Sequence, residues 1–231
     1  MTIAQQRRST GVLFDVYGTL CNIDTLSHVC GDLTADPNGF LRLWRSKQLE
    51  YSFIRTLVDD YAEFGQVTWD ALDYAAAIHG VTLEHADRRR LMHAWLSLPL
   101  YDDVRPALER LAQVQITCAV LSNGSRRMLQ RLLTHHDLHG LLPHVYSSEA
   151  VQVYKPHPQV YLYAAEQLRM SPSELLLVSS NGFDLAGAAH VGVRTCRVNR
   201  AGLPLDQLGI EPDFAVESLD TLVDRLASST G

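Results

Sequence analysis

Gly11-Val-Leu-Phe-Asp-Val-Tyr-Gly-Thr-Leu20 is a short apolar strand running into a glycine turn, with its acidic residue where the strand ends. Asp15 is therefore expected at the carboxyl edge of the sheet that this strand joins. Further strands are expected at Ile116 to Leu121, Val145 to Ser147, Leu175 to Ser179, Arg194 to Val198 and Phe214 to Val216. Several are continuous apolar runs without alternation, the pattern of strands covered on both faces of a parallel sheet. Helical stretches separate them. Arg126 to Leu133 is one; in Val160 to Leu168, Tyr161, Ala165 and Leu168 share a face after Pro158 opens the helix. Ser171-Pro-Ser-Glu174 has capping-box spacing, with room for one turn before Leu175. Alternating strand and helix predicts an α/β fold with a doubly wound, mostly parallel sheet.

The segment from about Asp24 to Leu98 breaks that rhythm, because it carries long helical patterns and no convincing interior strand. Asp36-Pro-Asn-Gly39 reads as a turn before a helix around Leu41 to Phe64, with Ile54, Val58 and Tyr61 on one side. Thr68 is expected to cap a second helix, and Leu83 to Leu96 to make a third. Pro99 and Pro106 bracket the return to the sheet. The expected organisation is an α/β core of residues 1–23 and 99–231 with a helical cap, residues 24–98, inserted after the first strand. The two crossings between them would form a hinge over the sheet's carboxyl edge.

A chain of 231 residues, 46% of them hydrophobic, can bury one substantial core with a smaller attached unit. Its 20 Lys plus Arg against 26 Asp plus Glu give a net charge of -6 without a long basic run, so there is no platform for a nucleic-acid backbone. No apolar stretch reaches membrane-spanning length, and Met1 to Thr10 lacks the apolar centre of a signal peptide. Cys21, Cys30, Cys118 and Cys196 form no close pair, which points to free thiols and a cytoplasmic location. His135, His136, His139 and His157 lack the spacing of a zinc set, and no glycine-rich nucleotide cradle is present. Neither a metal nor an organic cofactor is expected.

Parallel sheets collect ligands beyond the carboxyl ends of their strands, where loops converge and helix amino termini face anions. Asp15 with Thr19, Ser122 with Asn123, Lys155, and Ser179-Ser-Asn-Gly-Phe-Asp184 all fall at such places. Taken singly, each has an ordinary reading: Asp15, Thr19 and Asp184 as local caps, Ser122-Asn123-Gly124 as a turn, Lys155 as a solvated lysine. Their recurrence at successive strand ends favours one site. A lysine between two carboxylates would orient Asp15, keep it ionised and tether Asp184.

Phe14-Asp-Val-Tyr-Gly-Thr-Leu20, Leu43-Trp-Arg-Ser-Lys-Gln-Leu-Glu-Tyr51, Leu121-Ser-Asn-Gly-Ser125, Tyr154-Lys-Pro-His-Pro158 and Val178-Ser-Ser-Asn-Gly-Phe-Asp184 resemble the motifs of the L-2-haloacid dehalogenases, a branch of the haloacid dehalogenase superfamily. The similarity spans nearly the whole chain, including Thr195 to Asn199 and Asp206-Gln-Leu-Gly209. The resemblance implies a hydrolase that converts (S)-2-haloalkanoic acids to (R)-2-hydroxyalkanoic acids and halide. Asp15 would attack the carbon beside the substrate carboxylate and form an aspartyl ester, which water then opens. Asp184 is the leading base for that water, assisted by Lys155 and Asn181, although pairing with Lys155 is expected to lower its proton affinity.

The resemblance also assigns Arg45, Asn123 and the edge of Phe183 to the departing halide, although by itself Arg45 reads as a solvated helix charge. It assigns Ser122 and nearby N–H groups to the substrate carboxylate, and Thr19 to holding Asp15. Ser179 and Tyr161 would support Lys155, while Val16, Tyr17, Leu49 and Phe64 line the pocket. Relatives commonly form homodimers, so one is expected here.

Phosphatases of the superfamily usually carry a second aspartate two residues after the nucleophile, where it protonates the leaving alkoxide and stabilises magnesium. Tyr17 occupies that position. Halide needs no proton to leave, so a phosphatase is the weaker alternative. Ser46, where many relatives have glutamine, leaves room for another reading, hydrolysis of a different small 2-substituted or cyclic carboxylic acid. Phe183, where some have tryptophan, bears on chain-length and halide preference.

Overall fold

The computed structural model describes residues 11–228; the polar segment Met1 to Thr10 lies outside them. Six strands, β1 (Gly11–Phe14), β2 (Cys118–Ser122), β3 (His144–Ser147), β4 (Leu175–Ser179), β5 (Arg194–Val198) and β6 (Phe214–Val216), form one sheet in the order β3-β2-β1-β4-β5-β6. Every neighbouring pair is parallel. The chain builds outward from β1 through β2 to β3, then returns to the other side of β1 for β4, so the order reverses where β1 meets β4. Loops there diverge to opposite faces and leave a crevice beyond the strand ends. β1, β2 and β4 are buried along their whole length, as the unalternated apolar runs require. Val12, Phe14, Leu176 and Val178 feed one core cluster, and Leu13, Leu175 and Leu177 feed the cluster on the other face.

The helices are α1 (Leu26–Cys30), α2 (Pro37–Leu57), α3 (Phe64–Ile78), α4 (His85–Ala94), α5 (Val104–Gln113), α6 (Arg126–His135), α7 (Pro158–Leu168), α8 (Gly182–His190) and α9 (Leu219–Ser228). The first four lie between β1 and β2, a stretch without a named strand, and among the described residues no helix is long and apolar enough to cross a membrane. Where chain leaves and re-enters the sheet unit, Cys21 pairs antiparallel with Leu100, and the Asn22 N–H donates to the Pro99 carbonyl at 2.8 Å. Trp44 of α2, Phe64 of α3 and Trp95 just after α4 belong to the same apolar cluster as Val12 and Phe14. The sheet and the helices inserted after β1 therefore share one core.

Several local expectations need correction. Asp36 to Gly39 is the first turn of α2, with Asp36 accepting from the Gly39 N–H at 2.8 Å and Pro37 at the first helical position. Thr68 lies inside α3, where its hydroxyl donates to the Phe64 carbonyl, and so caps nothing. Ile54 and Val58, expected on a packed side, are exposed. The strand expected from Ile116 begins at Cys118, and Pro106 lies in the first turn of α5.

Gly187 shows how tightly helix packing governs the site. A Cβ there would come within 2.6 Å of both the Pro156 carbonyl and the Tyr161 hydroxyl, so α8 can approach α7 only with glycine. Alanine is the better helix former by about 1 kcal/mol, but overpacking of a filled interior costs about 1–3 kcal/mol. Gly187→Ala is expected to lower unfolding free energy in urea and to displace Tyr161; an unchanged or raised midpoint would contradict this packing argument.

Candidate active site

Asp15 follows β1 directly and is 6% exposed. The chain then turns back on itself, with the N–H groups of Thr19, Leu20 and Cys21 all donating to the Val16 carbonyl. Gly18 sits in that turn at φ +87°, a conformation only glycine adopts at little cost. The turn aims Thr19 at Asp15: its hydroxyl donates to Asp15 Oδ2 at 2.8 Å while accepting from the Ser180 N–H at 2.9 Å. Asn181 Nδ2 also donates to Oδ2, at 2.8 Å. Oδ1 takes one donor, Lys155 Nζ at 3.2 Å.

Lys155 is 1% exposed, and its ammonium spends all three protons, on Asp15, on Asp184 Oδ2 at 2.8 Å and on the Leu121 carbonyl at 2.7 Å. Burial alone would lower its pKa, but Asp184 and Asp15 outweigh that and the net direction is up. Asp184, wholly buried in the first turn of α8, also accepts from the Tyr161 hydroxyl at 2.9 Å. Pairing with Lys155 was expected to lower its proton affinity. Burial acts the other way and is larger, so its pKa is raised. Tyr161 bonds Asp184, the lysine's partner, and Ser179 Oγ accepts from the N–H of Asn181, which itself bonds Asp15, at 3.1 Å.

The loop after β2 supplies oriented donors. Asn123 Oδ1 accepts from the Lys155 N–H at 2.8 Å, which turns its Nδ2 away as a free donor. Ser122 Oγ accepts from the Gly124 N–H at 3.2 Å and keeps its own proton.

Arg45 reaches in from α2. It lines a cleft of about 690 Å³ together with Ser46, Leu49, Gly18 and Asn181, and its guanidinium lies 5.9 Å from the Trp95 ring centroid. Burial lowers its pKa to about 10, against the opposing pull of Asp15 and Tyr17, so it remains charged at neutral pH. Tyr17 is buried and its pKa is raised by that burial, which keeps the phenol neutral; its ring stacks on Phe64 at 6.0 Å. Phe183 stands edge-on to Phe53 of the cap at 5.3 Å.

This arrangement can present a fixed carboxylate to an electrophilic carbon and a cation to whatever leaves it. The haloacid dehalogenase-like hydrolase family matches residues 10–192. This chain belongs to that family. It is 38% identical to (S)-2-haloacid dehalogenase 2 of Pseudomonas sp. (strain CBS-3), covering 94% of this chain and 95% of that one. It is 40% identical to (S)-2-haloacid dehalogenase 1 of the same strain, over 94% and 96% of the two chains. The solved L-2-haloacid dehalogenase of Xanthobacter autotrophicus with chloropropionic acid covalently bound superposes with a TM-score of 0.88 at 32% identity, covering 96% of this chain and 99% of that one.

Some supports of this haloacid dehalogenase-like site escaped the sequence reading. Arg200, just past β5, donates to the Thr19 carbonyl at 3.0 Å and is clamped by Asp103 through two nitrogens. Its position after a strand end was the available signal; its partner Asp103, at the start of α5, left none. Gln48 and Thr68 hold Arg45 from behind.

Removing the shared ammonium leaves two buried carboxylates facing each other. Lys155→Met is expected to cost about 3–5 kcal/mol near neutral pH. Because the native lysine value is raised, its contribution is complete below the ordinary value of 10.5 and is lost as pH rises through the higher native one. The gap between wild type and variant in chemical denaturation should hold at neutral pH and close in strong alkali; a gap independent of pH would refute the role given to the ammonium.

Proposed function

We propose that this chain is an (S)-2-haloacid dehalogenase that hydrolyses short 2-haloalkanoic acids to (R)-2-hydroxyalkanoic acids and halide through an ester on Asp15. The observation that carries the reading is the unequal holding of the Asp15 oxygens, next to a cleft lined by Arg45. Oδ1, with one donor, attacks the carbon and expels halide with inversion. Oδ2, with Thr19 and Asn181 already on it, becomes the ester carbonyl oxygen. When water adds to that carbonyl, the same two donors receive the developing oxyanion. Asp184 takes the water's proton, and its raised pKa suits it to the task. Ser122 receives the substrate carboxylate, while Arg45 and Asn123 Nδ2 receive the halide. Phe183 closes the halide side, and Val16, Tyr17, Leu49 and Phe64 surround the alkyl group.

Metal independence is part of the same proposal. The place between the two carboxylates is filled by Lys155 Nζ, and Tyr17 stands where a phosphatase would carry its second acid. Among the described residues no group of three or more His, Cys, Asp or Glu side chains could hold a metal ion.

In this proposal residues 24–98 act as the cap over a core of residues 1–23 and 99–231, with the active site between them. The chain works as a homodimer in the cytoplasm. Ile54 and Leu57 on α2, Val58 just after it, and Tyr74 and Ile78 on α3 form exposed apolar surface, and the edge-on contact of Tyr74 with Tyr51 puts part of it on one side of the cap. Cys21, Cys30, Cys118 and Cys196 are all free and buried, which suits a reducing compartment. The paired change Ile54→Glu, Leu57→Glu is expected to halve the mass measured by sedimentation equilibrium; an unaltered mass would reject this interface.

The decisive experiment is one limiting turnover of (S)-2-chloropropionate in oxygen-18 water without added metal. Label is expected first on Asp15, with unlabelled (R)-lactate released, and Asp15→Asn should abolish steady turnover. Label entering lactate directly in the first turnover would sink the ester route. Turnover of phosphate esters or of a cyclic amino acid, without halide release from any haloacid, would instead favour a different hydrolase.

A further inference from the structure

Gln48 is wholly buried one turn beyond Arg45 on α2, in a position where an uncharged amide needs a reason. Arg45 Nη1 donates to Gln48 Oε1. Gln48 Nε2 donates to Thr68 Oγ1 at 2.6 Å, and Thr68 Oγ1 donates to the Phe64 carbonyl at 2.7 Å. Trp44 Nε1 donates to the Thr68 carbonyl at 2.8 Å and fixes α3 against α2 at the same point.

The direction of every proton in this series is determined. A carbonyl only accepts, so the single Thr68 proton is committed to Phe64. Thr68 then has only lone pairs to offer Gln48, which must present its NH₂ to Thr68 and its oxygen to Arg45. A guanidinium only donates, so the far end agrees. The orientation of the amide is thus set by the first turn of α3, and through it the placement of the guanidinium.

The choice of an amide matters as much as its direction. A carboxylate in the same place would orient Arg45 equally well but would neutralise the charge that the leaving halide needs. Gln48 holds the cation and leaves its charge unspent.

We propose that Gln48 and Thr68 are positioning residues for Arg45, a neutral relay that fixes where the guanidinium meets the departing halide. The inference rests on the reading of Arg45 as halide acceptor. Chloride depends more on that help than bromide, because the carbon–bromine bond is weaker and bromide leaves more readily. A misplaced guanidinium should therefore slow chloroacids more than bromoacids and weaken inhibition by free chloride.

The test compares single-turnover ester formation from (S)-2-chloropropionate and (S)-2-bromopropionate, with chloride inhibition measured alongside. Wild type, Thr68→Val, Thr68→Ser, Gln48→Met, Gln48→Glu and Arg45→Gln are each verified as folded by circular dichroism. Thr68→Val and Gln48→Met are expected to slow ester formation from the chloroacid about tenfold or more, the scale of losing aligned transition-state donors. The bromo-to-chloro rate ratio should rise, chloride inhibition weaken, and Thr68→Ser restore both. Gln48→Glu should bind chloride more weakly than Gln48→Met. If Arg45→Gln raises the ratio while folded Thr68→Val and Gln48→Met leave it and chloride inhibition unchanged, the relay is overturned and the halide reading of Arg45 survives. If Arg45→Gln itself leaves the ratio at the wild-type value, that reading fails and the relay with it.

Discussion

One ammonium shared by two buried carboxylates organises this protein. Asp15 directly follows β1, Asp184 lies in the first turn of α8, the helix after the adjacent strand β4, and both are buried. Burial of an unpaired carboxylate costs several kcal/mol. Lys155 Nζ meets the need for both, and its third proton goes to the Leu121 carbonyl at the end of β2. The three central strands are thereby tied at their carboxyl ends by a single side chain. A guanidinium, planar and forked, would not suit three acceptors arranged around a point.

How much of this was legible follows from how local each cause is. Asp15 was legible because a strand, an acid and a glycine turn lie within ten residues of sequence, and Ser122 and Ser179 share the same strand-end signature. The sheet followed from its apolar runs. That Arg45 faces the cleft was legible only through resemblance, since in a helical sequence a half-buried arginine and a solvated one look alike. Thr68 was misread as a cap because the rule for threonine at a helix start is local, whereas α3 already begins at Phe64, four residues earlier, and the Thr68 hydroxyl bonds back to the Phe64 carbonyl. For Asp184 the charged neighbour was foreseen and the depth of burial was not; burial is a property of the whole fold and reverses the sign of the shift.

The wider consequence of the proposed mechanism is a movement of charge from beside Lys155 to beside Arg45. Before reaction, Asp15 and Asp184 carry two negative charges against Lys155 and Arg45. In the proposed first step the charge on Asp15 passes to the halide, so negative charge leaves the core side, next to Lys155, and collects on the cap side, next to Arg45. Total charge is unchanged, and neither cation has to move. Losing the Asp15 charge also removes one influence that raises the Asp184 pKa, leaving Asp184 beside an ammonium that now has one carboxylate to serve. In that mechanism Lys155 favours the Asp184 carboxylate when the water arrives, while burial favours its taking up the proton. In the proposed mechanism the second step depends on that balance, with the base beside Lys155 and the halide acceptor on α2: each cation would stabilise the charge present on its own side at its own stage of the reaction.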